Sequence, residues 1–177
     1  MTTEEFQKLI DPTKYQVFLI SCPAYFPINF GIHPWFVVNK KGVLTRWEVG
    51  HSKESSSNYF GYIRSDGLPL LKGLPVFSYS IPLDWGPRHI KLIGKIEGGE
   101  ESAANKIIAF IEQATVNYPY RDIYHLPGPN SNTYAQWILN AFPEWKIRLP
   151  GNAFGKNYKA RKVQDNKNFD NDPRASA

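Results

Sequence analysis

The sequence predicts an α+β domain, and three observations carry that reading. β-rich apolar runs fill the first half of the chain. Two segments with helical periodicity follow, near residues 101–118 and 131–142, and a polar tail closes the sequence. At 177 residues, 42% of them hydrophobic and 15% aromatic, the chain is long enough and apolar enough for one globular core.

Thr2 or Thr3 ahead of Glu4 and Glu5 reads as a capped helix start, and Asp11-Pro12 ends the segment. "YQVFLISC" (15–22) has the continuous apolar character of a strand buried on both faces. "PAYFPINFG" (23–31) is a loop with two prolines and a glycine. "HPWFVV" (33–38) and "VLTRWEV" (43–49) flank "NKKG" and predict a hairpin. A short strand is expected near 59–63, and further strands at 74–81 and 89–96, giving an antiparallel sheet of about five strands. Ala104, Ile107, Ile108, Ile111 and Ala114 mark the apolar stripe of the first long helix. Tyr134, Trp137, Ile138 and Ala141 mark that of the second. The expected organisation is an N-terminal helical segment (1–14), a domain spanning 15–158, and a disordered polar tail (159–177).

Charge narrows the function classes. Of the net +5, residues 156–177 carry +3, so the remaining body is only +2. That distribution gives no nucleic-acid footprint. No run of about 18 apolar residues predicts a membrane span. No secretory signal is recognisable, so the expected location is cytoplasmic. One cysteine, Cys22, leaves no intrachain disulfide and no cysteine zinc site. The four histidines lack metal-ligand spacing, and there is no phosphate-binding or dinucleotide fingerprint. Neither a metal nor a cofactor is expected, and the oligomeric state stays open.

With "NKKG" as the loop, facing hairpin positions sum to 81. That sets Arg46 opposite Trp35 and Glu48 opposite His33, on one side of the sheet. A carboxylate beside an imidazole holds and charge-stabilises it, and Arg46 over Trp35 allows a cation–π contact. The plainer reading leaves His33 as the start of a strand and Glu48 as a surface charge. A second cluster follows a rigid turn: "PGPNSNT" (127–133) puts Asn130, Ser131 and Asn132 at the mouth of the last long helix. Asn130 is the natural N-cap. The free N–H groups and the dipole behind it favour an oxyanion, and Ser131 is placed to act as a nucleophile if a histidine reaches it. Capping alone also explains most of these residues. His125, two residues before Pro127, is a second base candidate near the same mouth.

The motifs "HPWFVV", "RWEV", "PGPNSNTY" and "GNAFGKNY" together resemble the bacterial family known as domain of unknown function 3750, over roughly residues 15–158. "NSNTY" is also similar to the nucleophile-helix signature of circularly permuted papain-like proteins: the lecithin:retinol acyltransferase-like, PPPDE and NlpC-type groups. The resemblance implies a permuted papain-like fold, with the sheet packed on the two main helices. It also implies Ser131 where those proteins carry cysteine, His33 as general base, and Glu48 as the third, orienting group. Two function classes follow. One is a hydrolase or acyltransferase acting on an amide or ester through Ser131. The other is a catalytically inactive binding module whose cleft, lined by Trp35, His33, Asn130 and Asn132, grips a peptide, glycan or lipid fragment.

Overall fold

A computed structural model describes residues 1–51, 61–65, 69–77 and 83–159. The expected tail falls almost wholly outside the described residues, as do positions 59–60 and the end of the expected strand at 74–81. The architecture is α+β. A five-stranded antiparallel sheet is built from β1 (Tyr15–Pro23), β2 (Ile32–Lys40), β3 (Val43–His51), β4 (Gly61–Ser65) and β5 (Lys91–Gly98), in the spatial order β4-β3-β2-β1-β5. Around it stand α1 (Thr3–Gln7), α2 (Ala103–Glu112), α3 (Ala114–Asn117) and α4 (Ser131–Ala141).

β1 is buried from Tyr15 to Cys22 because both of its faces are covered. Tyr15, Val17 and Leu19 point at one face with Phe36 and Val38 of β2. There they meet Ala104, Ile107, Ile108 and Ile111 of α2 and Tyr134, Ala135 and Ile138 of α4. Phe18, Ile20, Cys22, Trp35 and Val37 point at the opposite face, where Phe6 of α1 and Ile90 join them. Strict alternation within a strand sorts these residues. Each large aliphatic side chain so buried contributes roughly 1.5–3 kcal/mol.

The hairpin register differs from the expected one. Lys40 faces Val43 and Val37 faces Arg46, so facing positions sum to 83, not 81. The turn itself is Lys41-Gly42, with φ of 51° and 96°. Two positive φ values suit the strand twist of a two-residue turn better than a longer loop does, and Gly42 supplies one of them without strain. The shift is by two residues, so the facing set is unchanged. His33 and Glu48 remain on one side as diagonal neighbours, and so do Trp35 and Arg46.

Three other expectations change. The apolar run from 74 does not form a strand over 74–77: it contributes only an isolated bridge between Pro75 and Asp84. The strand expected at 59–63 is found at Gly61–Ser65. The helix expected over 101–118 ends at Glu112, and Ala114–Asn117 forms a separate turn. Thr115, Val116 and Asn117 are weak helix formers, and Pro119 drives Tyr118 into extended backbone. α4 begins where its cap predicts, and it stops before Pro143 for the same pre-proline reason.

Candidate functional site

α4 starts at a highly constrained corner. The Asn130 side chain accepts from the Asn132 and Thr133 backbone N–H groups at 3.0 and 3.3 Å. The Asn130 backbone N–H donates to Thr133 Oγ1 at 3.1 Å, completing a capping box. The Asn130 amide nitrogen donates to the carbonyls of Pro127 and Phe154. The Asn132 amide nitrogen donates to the carbonyls of Ile32 and Phe154, each at 3.0 Å. Thr133 Oγ1 donates to the Gly155 carbonyl at 2.7 Å. Gly155, at φ 92°, lies so close that a Cβ there would sit 2.6 Å from the Asn130 amide nitrogen. Asn130 and Asn132 therefore clamp the segment 150–158 and the start of β2 onto the helix mouth. The capping bonds engage the N–H groups of Asn132 and Thr133, which leaves the Ser131 N–H as the first-turn donor beside the cleft.

His33 stands near the start of β2, next in sequence to the Ile32 carbonyl that Asn132 bonds. Its Nε2 is 2.9 Å from Glu48 Oε2, and both side chains are about 4% exposed. A carboxylate only accepts, so Nε2 carries a proton; in the neutral ring this leaves the lone pair on Nδ1. Nδ1 is buried and has no hydrogen-bond partner among the described residues. Arg46, 1% exposed, donates through Nη2 to the same Glu48 oxygen at 2.9 Å and through Nη1 to the carbonyls of Pro69 and Lys72. Its guanidinium carbon lies 4.3 Å from the Trp35 ring centre. Burial acts to raise the Glu48 carboxyl. The hydrogen bonds and charges of His33 and Arg46 outweigh it and hold the group down at about 2.

A folded-state value below the ordinary 4.5 means that Glu48 stabilises the fold fully above that pH. The contribution is lost as pH falls from there toward 2. It is on the order of 3 kcal/mol. A urea-unfolding series should therefore show a steep acid limb between these values, much reduced in Glu48→Gln. Glu97 contributes a weaker, solvent-screened part: its carboxyl is also held at about 2, by Lys95, Gln16 and Lys14. An acid limb unchanged in Glu48→Gln would contradict the assignment.

The two corners border one cleft of about 340 Å³. His33, Asn130, Ser131 and Asn132 all line it, beneath walls from the 23–31 loop, Leu74, the 124–127 turn and Phe154. The juxtaposition comes from one hydrogen bond and one step along the chain. The helix mouth is tied to the Ile32 carbonyl, and His33 is the next residue. No Ser131–His33 hydrogen bond is formed. Glu48 stands behind the histidine, outside the cleft lining.

Two expected lining residues are placed elsewhere. Trp35 is wholly buried, donates through Nε1 to the Leu70 carbonyl at 2.9 Å, and backs the His33 ring at 6.2 Å. It does not line the cleft: it lies on the same face of β2 as His33, two residues farther along the strand and beneath Arg46. His125 is half-buried and outside the lining, with its ring edge-on to Tyr158. Sequence reasoning missed the apolar wall: Tyr25, Ile28, Phe30, Leu126 and Phe154. The available signal was the density of aromatic residues in "PAYFPINFG", a loop with no strand or helix period to explain them.

No curated protein and no solved structure matches the chain. A family model does match it, over residues 14–158. The chain carrying this buried His33–Glu48–Arg46 group and this capped serine helix belongs to the family described as protein of unknown function DUF3750.

Proposed function

We propose that the cleft is the active site of a hydrolase or acyltransferase with Ser131 as nucleophile. The observation that supports this most is the disposition of His33. One ring nitrogen is held on a buried carboxylate, while the other, buried and without a partner among the described residues, belongs to a residue that lines the same cleft as the serine. An activated nucleophile needs a base that can reach it and a third group that orients the base; His33 has the orienting group and shares the serine's cleft. The permuted papain-like resemblance is consistent with it.

In the proposed reaction, Ser131 Oγ attacks the acyl carbon of an amide or ester as its proton passes to His33 Nδ1. The carbonyl π electrons move to oxygen, where the Ser131 N–H and the positive end of α4 stabilise them. Collapse expels the amine or alcohol, which leaves with the proton from His33. A water or a second alcohol or amine then attacks the acyl-serine, gives its proton to His33, and releases Ser131 Oγ, which recovers that proton. Glu48 stabilises the imidazolium in both halves.

A second reading has its own support. Ser131 is only 2% exposed and its hydroxyl is not hydrogen-bonded to His33, as suits a binding module that grips without cutting. An alkyl fluorophosphonate probe separates the two. The wild-type chain should be labelled, and Ser131→Ala and His33→Ala should each lose the label at least about a hundredfold. Absence of labelling that depends on both residues leaves the binding module.

A further inference from the structure

We propose that the ligand of this cleft is a single unbranched acyl chain. The chain lies along the apolar wall with its carboxyl-derived head at the mouth of α4, so the substrate class is an amphiphilic acyl compound rather than a peptide or a glycan. The cleft's size suits one slender group: about 340 Å³ is near the lower end for small-molecule sites. Its chemistry is polarised along its length. Four polar side chains, His33, Asn130, Ser131 and Asn132, belong to the α4 mouth and the start of β2, and the only others in the lining are the hydroxyls of Tyr25 and Tyr124. The amide nitrogens of both asparagines are already committed to backbone carbonyls. The rest of the wall is dominated by Ile28, Phe30, Leu74, Leu126 and Phe154.

A peptide brings a donor and an acceptor per residue, and a glycan brings several hydroxyls. Against this wall most of those groups would be stripped of water without a partner, which costs more than the contacts return. An alkyl chain brings none. The rim adds an independent sign. Phe30 is 64% exposed, Leu126 49% and Phe154 43%, all lining one cleft, and the Phe30 and Phe154 rings meet edge to face with centroids 5.5 Å apart. Exposed apolar groups gathered at a concave opening mark a binding surface rather than scattered surface residues. The carboxyl end of the assignment rests on the Ser131–His33 reading. The chain end does not.

Calorimetric titration of the full chain tests the proposal, with monomeric decanoate and with butyrate as probes. Decanoate should bind at least about a hundredfold more tightly than butyrate, since each added methylene favours burial. Phe30→Glu and Leu126→Glu, both at exposed positions, should each weaken decanoate binding by about tenfold or more. Val116→Glu, at a 70% exposed position outside the cleft, should leave it unchanged. Equal binding of the two acids, no decanoate binding, or indifference to the Phe30 and Leu126 charges overturns the chain assignment. Co-sedimentation with phosphatidylcholine vesicles in the absence of decanoate binding also overturns it, and assigns the rim to a lipid surface. Decanoate binding without fluorophosphonate labelling would remove the catalytic reading and keep the chain. Labelling without decanoate binding would do the reverse.

Discussion

Arg46→Met will destabilise the fold by about 3–5 kcal/mol, read as a fall in the urea midpoint with little change in slope. The guanidinium is buried against Trp35 and makes hydrogen bonds to Pro69, Lys72 and Glu48. Two of them, to Pro69 and Lys72, hold the 69–74 segment against the sheet, where Trp35 also bonds Leu70 and the Leu74 N–H donates to Cys22 Sγ. Methionine fills much of the volume but leaves Glu48 charged, buried and short of one cationic partner. That weakened compensation dominates the cost. Arg46→Lys should recover little, because an ammonium cannot stack on Trp35 and span three acceptors as a planar fork does. The double variant Arg46→Met, Glu48→Leu should be less destabilised than the two single changes summed, since it removes the stranded charge as well as its partner. A loss below about 1 kcal/mol in Arg46→Met would mean that the ion pair is not the buried group described here.

Ser131→Cys will acquire a thiol that reacts with iodoacetamide at pH 6 about tenfold faster than free cysteine. Two opposing terms give that figure. A helix N-terminus and a nearby histidine lower a cysteine pKa from about 8.5 to about 6, which raises the thiolate fraction at pH 6 by roughly two orders of magnitude. The less basic thiolate is intrinsically slower by about one order, so the first term wins by about tenfold. The readout is clean because the other cysteine is silent: Cys22 is 1% exposed, and burial pushes its thiol up to about 12. Adding His33→Ala to Ser131→Cys should remove the advantage. Equal alkylation rates with and without His33 would show that the imidazole does not act on position 131, and the nucleophile assignment would fall with it.

The imidazole–carboxylate contact was legible before the structure even though the register was off by two. Same-side pairing depends only on parity, and an even slip preserves parity. The length of the turn was less legible, because Lys41 gives no sign in advance of its positive φ. The described residues 75–77 show the opposite failure. The run they belong to has strand propensity, but Arg46 and Trp35 fasten the preceding 69–74 segment across the buried face instead of leaving an edge for them to extend.

What the sequence determined by itself is local. Asn130 as a cap and the Tyr134, Trp137, Ile138, Ala141 period place α4, and the alternation in β2 and β3 puts His33, Trp35, Arg46 and Glu48 on one face. Each of these follows from periodicity or from a hydrogen bond closed within a few residues. The tertiary structure decided how the corners meet. It buried Trp35 behind the histidine, committed the amides of Asn130 and Asn132 to carbonyls as far away as residues 32 and 154, and drew Phe30, Leu126 and Phe154 around one cleft. Those placements depend on contacts between segments up to about a hundred residues apart, where chain closure and packing, not local propensity, select the neighbours.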